Sequence, residues 1–455
     1  MTPTRRQYLQ GVCAGVGLTL IGSPTSAGPT ERFFVHPRTG IIGDAISAIE
    51  AIGGTIVFEY DNFDFVVAEI PDGEQDTLLD DFRISLIERD DDVGIPSDWF
   101  PSLSDILGPG ENDDCSTHPD QRSSWGWERI GADGLEASGS TVDIGILDTG
   151  IQSNHCSLSV AGGRNFSSRM SPSDYEDRHG HGTHVAGVAS ALDNDLGVIG
   201  VAPGANLYAI KVLDDRGSGQ YSSLVAGIDW CLSNDIELIS MSLGGDEESV
   251  SVDQAIEEAT AAGHLLLCAA GNEGNDGQGC SQETMTYPAT HPDVIATTAM
   301  NEDESLASYS SVGTAIDLLA PGSDIISTYV GNEYASASGT SMACPFATGV
   351  AALVWSNRGE AGPGPNQEVR TILEESAETV LDSCEEGHGL VSASAAVRDE
   401  RATEGNQPRD DGTEIPGDRE DRDDRHSADD GSPTIFQWFL DLLLRLFEII
   451  ANLFR

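Results

Sequence analysis

Three short segments carry residue types that together can break an acyl bond. Asp148-Thr149-Gly150 closes an apolar run (Val142, Ile144, Ile146, Leu147) that reads as a strand. His181-Gly182-Thr183-His184-Val185-Ala186-Gly187 follows, and Gly339-Thr340-Ser341-Met342-Ala343 comes third. They supply an acid, a base and a hydroxyl in the order Asp, His, Ser, one of the chain orders in which such a triad occurs. A serine hydroxyl is a weak nucleophile until its proton is removed. His181 is suited to take that proton and return it to a leaving amine; Asp148 is suited to fix the imidazole tautomer and stabilise its cation. Gly182, Gly339 and Ala343 leave room for a substrate backbone. A fourth block extends the pattern. Leu265 to Ala270 is an apolar run typical of a buried strand, and Gly271-Asn272-Glu273-Gly274 follows it. A side-chain amide at the mouth of a strand can donate to a developing oxyanion, worth roughly 100- to 1000-fold in turnover. Taken alone, Asn272 also reads as an ordinary turn residue.

The four blocks resemble the subtilisin-family serine proteases (subtilases), and most of all the halolysin-type enzymes of salt-loving archaea, over roughly Gln121 to Val397. The resemblance implies an α/β fold with a mainly parallel seven-stranded sheet flanked by helices, preceded by a small α+β pro-domain. It implies Asp148, His181 and Ser341 as the triad, with Asn272 and the Ser341 amide as the oxyanion hole. His181 is the base because it directly precedes Gly-Thr-His; His184 reads as a packed helix residue and His179 as a loop residue. Ser242-Leu243-Gly244-Gly245 resembles the wall of the S1 pocket, and Ala269 joins the substrate-binding set. Gly217-Ser218-Gly219-Gln220-Tyr221 resembles the edge that pairs with an extended substrate, with Gly217 and Gly219 allowing close approach and Tyr221 walling S4. Glu273 falls at the S1 rim, where it would tolerate a basic P1. The implied activity is broad endopeptidase action favouring large apolar P1 residues on protein and peptide substrates. A surface-held processing protease of narrow specificity is the alternative.

The same resemblance implies Ca²⁺. Leu192 to Gly200 resembles a calcium loop, with Gln121 and Asn194 ligating through side chains and Leu192, Leu196 and Val198 through carbonyls. The family places an Asp where this chain has Ser157, which would weaken the site unless Asp193 or Asp195 compensates. An acidic loop without metal is the other reading. Because Gln121 and Ser157 would then face one site by the resemblance, their neighbours Cys115 and Cys156 are the better disulfide candidates, with Cys280 and Cys384 a second candidate pair. Cys231 and Cys268 sit in apolar runs and read as buried thiols, and Cys344 reads as packing.

The elements that must position these residues occupy one part of a 455-residue chain. The formal net charge is −53, from 76 acidic and 23 basic residues, and Lys211 is the only lysine. Such a surface repels itself in dilute buffer and is screened by salt, which fits adaptation to molar salt. Nucleic acid is not an expected partner, since no basic stripe exists to neutralise phosphates. Residues 1–27 read as a signal peptide whose Thr4-Arg5-Arg6-Gln7-Tyr8-Leu9 resembles a twin-arginine motif. Export by that route would carry a folded protein, so activity needs restraint beforehand. Residues 28–95 alternate strand-like runs (32–35, 55–60, 63–70, 82–87) with helix-like runs (41–51, 74–80). This is the expected inhibitory pro-domain, its tail lying in the active site by resemblance. Residues 96–120 are rich in Pro, Gly, Asp and Ser and read as the processing junction. After the catalytic domain at 121–397, residues 398–433 are almost wholly charged or small, as in a disordered acidic linker. Residues 434–455 turn apolar, with Gln437, Asp441, Arg445, Glu448 and Asn452 on one helical face. Three readings stand for that helix: membrane-surface anchoring, self-association, or docking on the catalytic domain.

Overall fold

Along residues 30–89 alternating apolar positions are buried on both faces, so the strands there must sit between two layers. The computed structural model describes residues 30–96, 102–107, 115, 120–167, 171–274, 283–358 and 362–404. The expected signal peptide, most of the junction, the linker beyond 404, the C-terminal helix and Cys280 lie outside those residues. The first unit runs β1 (Thr30–Pro37), α1 (Ile42–Ala51), β2 (Thr55–Glu59), β3 (Val66–Pro71), α2 (Gln75–Leu79) and β4 (Ile84–Arg89). Its antiparallel sheet has the order β2-β3-β1-β4. One face packs Val35, Val66, Ala68 and Ile84 under Ala45 and Ile49 of α1 and Leu78 of α2. The other face turns Phe34, Phe65 and Val67, with nearby Tyr60 and Phe63, into a cluster shared with the next layer. Period-two side-chain alternation produces both faces.

The main layer comprises α3 (Trp125–Arg129), β7 (Asp143–Asp148), β8 (Val160–Asn165), α4 (His181–Ser190), β9 (Asn206–Lys211), β10 (Ser218–Gln220) and α5 (Tyr221–Ser233). It continues with β11 (Leu238–Met241), α6 (Val250–Ala261), β12 (Leu265–Ala269), β13 (Val294–Met300), β14 (Leu318–Pro321), β15 (Ile325–Tyr329) and β16 (Glu333–Ala337). Helices α7 (Thr340–Asn357), α8 (Asn366–Glu375), α9 (Ser383–Glu386) and α10 (Ala393–Glu404) complete it. Seven strands form a parallel sheet in the order β14-β13-β12-β11-β7-β9-β8. Its inner strands β11, β12 and β13 are buried throughout, as expected when helices cover both faces. Residues of α4, α7 and α8 share one core, and residues of α5 and α6 share the other with the first unit. Strand order reverses about β7, and in such sheets the crevice at the carboxyl ends beside the reversal is the usual ligand site.

The two units are joined through helix N-termini, whose backbone amides lack partners within the helix. Glu88 accepts from Val250 N (2.8 Å), Ser251 N (3.0 Å) and Ser251 Oγ (2.6 Å) at the start of α6. Asp90 accepts from Ser222 N (2.8 Å) and Ser222 Oγ (2.5 Å) at the start of α5. Burial pushes the Asp90 carboxyl up to about 6. Beyond this unit, β5 (Asp92–Gly94) pairs antiparallel with β10.

Two segments differ from expectation. Within the junction, β6 (Ser102–Leu107) is a strand paired with β16; its partner lies more than two hundred residues on, and pairing at that separation leaves no local signature. Helix α10 runs past Val397 to Glu404, so the charged composition begins before the helix ends.

Candidate active site

Asp148 ends β7 and His181 opens α4, and both side chains are fully buried. His181 Nδ1 lies 2.8 Å from Asp148 Oδ1 and 2.9 Å from Oδ2. The carboxylate also accepts from Thr149 N at 2.6 Å. The residue between base and helix body must be glycine, because a Cβ at Gly182 would stand 2.2 Å from the Gly150 carbonyl oxygen. Asp177 ties this corner together. Its carboxylate accepts from Thr149 Oγ1, His179 N, Gly180 N, Thr183 N and Thr183 Oγ1. An acid there satisfies one amide in the first turn of α4, Thr183 N, and favours the helix dipole. Lys211, 1% exposed, ends β9 opposite Asp148; its Nζ donates to Thr149 O (2.5 Å) and Asp215 Oδ1 (2.8 Å).

Ser341 is the second residue of α7, buried at the helix N-terminus. Its Oγ donates to Ser242 O at 3.4 Å, and Ser242 Oγ donates back to Ser341 O at 3.0 Å. Asn272 follows β12. Its Oδ1 accepts from Thr340 N and Thr340 Oγ1, both at 2.9 Å. That fixes the amide plane, with Nδ2 turned towards Gly339. A point built as a Cβ on Gly339 lies 3.3 Å from Asn272 Nδ2 and 3.7 Å from Ser341 N. Two N–H donors therefore border one small space. An oriented base, a hydroxyl at a helix N-terminus and converging donors are the parts of acyl transfer through a tetrahedral intermediate.

The groove follows. Gly94 N donates to Gly244 O (3.0 Å) and Gly244 N donates to Gly94 O (2.9 Å), while Ile95 N donates to Gly217 O (3.0 Å). Gly219 pairs with Val93 in the β5–β10 register. An extended backbone is thus held between the two glycine-rich segments. Val93 is 3% exposed and shares a cluster with Leu213, Tyr221 and Leu243. Tyr221 Oη donates to Glu247 O at 2.7 Å, and its fully buried ring is held within that cluster. Gly245 continues the ladder onto Tyr287. Ala269 is buried at the end of β12, and Glu273 is exposed, with its backbone N donating to Ser311 Oγ.

His184 is fully buried, its Nε2 meeting Ile325 O and Ala335 O, and burial lowers it to about 4. His179 lies in the bend before α4; burial and then the neighbouring His181 lower it. Cys115 and Cys156 form a disulfide, Cys384 is disulfide-bonded, and Cys231, Cys268 and Cys344 are buried thiols.

The expected calcium ligands are gathered, and protein hydrogen bonds engage them. Gln121 presents amide protons, not oxygen, to Leu192 O (2.6 Å) and Val198 O (3.2 Å). Ser157 Oγ donates to Leu196 O (3.2 Å). Asn194 Oδ1 accepts from Leu196 N, and its Nδ2 donates to Cys156 O. Ser157 brings no carboxylate, and the Asp193 and Asp195 residues are exposed. A hard dication prefers six to eight oxygen lone pairs, usually with anionic ligands. Among the described residues no cluster of His, Cys, Asp or Glu is placed to hold a metal.

Sequence reading missed Asp177, Thr149, Lys211 and Thr340. The available signals were a lone lysine in an acidic chain and an acid just upstream of a helix start. Thr340 carried none, because its role depends on a loop some seventy residues away.

Comparison with known proteins gives the family. Residues 139–412 match the model of the Subtilase family. The chain is 44% identical over 281 residues to subtilisin DY of Bacillus licheniformis, covering 61% of this chain and 100% of that protein. It is 42% identical over 292 residues to subtilisin NAT of Bacillus subtilis subsp. natto, covering 63% and 74%. A thermostable alkaline protease of Halalkalibacterium halodurans is 35% identical over 390 residues, 85% of this chain and 98% of that protein. The chain belongs to the subtilase family and is a serine endopeptidase with the subtilisin-like α/β fold.

Proposed function

We propose that the chain is the precursor of a secreted, salt-adapted endopeptidase of broad specificity. In this reading Ser341 Oγ attacks a peptide carbonyl while His181 takes its proton, and Asp148 holds the imidazole through Nδ1. Asn272 Nδ2 and Ser341 N receive the oxyanion. His181 then protonates the leaving amine, an acyl-enzyme remains, and water attacks it with His181 again as base. The apolar cluster of Tyr221, Leu213 and Leu243 supports a preference for apolar residues at S4. The acidic surface supports salt adaptation, and the N-terminal Arg5-Arg6 segment supports twin-arginine export. The apolar C-terminal segment supports a further role as a membrane-surface anchor.

The observation that carries the precursor reading is the β5–β10 pairing. The chain's own residues 92–95 lie along the groove as an added strand, with Val93 buried where a substrate side chain would go. Residues 28–95 then act as a tethered inhibitor, and the bond to be cut lies beyond Pro96, which is buried. A time course of casein hydrolysis in molar NaCl tests this. Wild type should show a lag while the segment is removed. Val93→Asp, which would bury an unpaired carboxylate, should shorten that lag at least several-fold. An unchanged lag would reject the inhibitory role of this segment. Absence of casein hydrolysis by the shortened enzyme would favour narrow specificity.

A further inference from the structure

We propose that the loop from Leu192 to Val198 is clamped by protein hydrogen bonds in place of a divalent cation, with Tyr334 and Gln121 as the two keystones of the clamp. Carbonyls that converge on one point need a positive partner. A cation is one solution; N–H and O–H donors are another. Here the second is built. The Gln121 amide spans Leu192 O and Val198 O. Ser157 Oγ donates to Leu196 O and shares a 2.7 Å hydrogen bond with Tyr334 Oη, so Tyr334 is the donor of that pair.

Tyr334 fits by shape as well as by hydrogen bonding. It comes from β16, is 1% exposed, and packs so closely on the loop that a Cβ at Gly197 would stand 1.9 Å from its Cζ. Glycine at 197, with φ +60°, is therefore required by the ring as well as by the turn. The His155 ring stands edge-on to Tyr334 at 5.4 Å. The far side is secured as well: Asn194 Nδ2 donates to Cys156 O, and Cys156 is bonded to Cys115. Every group that would face a cation is engaged by a proton donor or is one, and none carries charge. Gln121 N and Arg122 N also donate to the loop, at Asp195 O and Gly197 O. The loop is thus held to the start of the catalytic domain without metal.

The test uses the full chain carrying Ser341→Ala, which prevents self-digestion, melted by calorimetry in molar NaCl with millimolar calcium chloride or with EGTA. Further variants are made in that background. The parent and its Gln121→Leu derivative should respond to calcium alike. Tyr334→Phe should lower the melting temperature by about 1–2 °C, the loss expected for one hydrogen bond in a protein of this size. That drop should be equal with and without calcium. The double variant Ser157→Asp with Tyr334→Phe, which restores a carboxylate and removes a proton donor, should acquire a calcium-dependent rise. A calcium rise in the parent that Gln121→Leu abolishes would overturn the proposal. So would a Tyr334→Phe variant that melts where the parent does. An equal calcium rise in parent and Gln121→Leu would place the ion elsewhere and leave the clamp standing.

Discussion

Asn272 makes two kinds of contact, and they can be separated. Its Oδ1 is held by Thr340 N and Thr340 Oγ1 at 2.9 Å, and its Nδ2 borders the space shared with Ser341 N. Asn272→Ala removes the donor and the holder together. Loss of one oxyanion donor costs about 2.7–4 kcal/mol of transition-state stabilisation, or roughly 100- to 1000-fold in kcat. Because that donor acts on charge that develops only in the transition state, KM should change little. Thr340→Val keeps the donor and the backbone N–H but removes one of two anchors. A single neutral hydrogen bond is worth about 1 kcal/mol, so kcat should fall roughly 5-fold. Asn272→Asp retains the acceptor and discards the donor, so it should resemble Asn272→Ala. The assay is steady-state hydrolysis of a chromogenic peptide in molar NaCl by fully processed enzyme. If Asn272→Ala kept kcat within 3-fold of wild type, or lost it through KM alone, the oxyanion assignment would be wrong.

Two further outcomes are expected. Lys211→Met leaves the Thr149 carbonyl without its cationic donor, which should lower stability by about 1.5–3 kcal/mol; denaturant unfolding of the inactive Ser341→Ala chain checks this, and an unchanged midpoint would contradict it. His184 is neutral in the fold, its value lowered from 6.5 to about 4 by burial. The unfolded chain therefore takes up a proton before the folded one does. Stability from this residue is present above about pH 6.5 and is lost as pH falls towards 4, by about 3 kcal/mol. His184→Gln should flatten that part of the stability–pH curve, and an identical slope in the variant would refute the assignment.

What could be read from the sequence was what is local. Strands β7 and β12 announce themselves as apolar runs, and Asp148 and Asn272 follow from where those runs stop. The first unit was legible almost element by element because its apolar period changes from two to about 3.6 and back. The seven-stranded sheet was expected from family resemblance and not from strand order, which no local pattern encodes. Contacts between distant segments were hidden. Asp177 and Lys211 act on Thr149 from other elements, and Glu88 and Asp90 act on helices well over a hundred residues downstream. The hydrogen bonds around the expected calcium loop were hidden for the same reason: the loop is local enough to recognise, whereas Tyr334, which shares a hydrogen bond with Ser157, arrives from β16.

In the proposed function Ser341 performs the cleavage, and the same chemistry frees the enzyme from its own first residues. The direct measurement is N-terminal sequencing of wild type and Ser341→Ala after identical expression and incubation in molar NaCl, beside their casein hydrolysis. Wild type should be shortened, with its N-terminus between residues 97 and 121, and should hydrolyse casein. Ser341→Ala should remain uncut in that interval and inactive. Cleavage of the Ser341→Ala chain at the same bond, without added wild type, would contradict it.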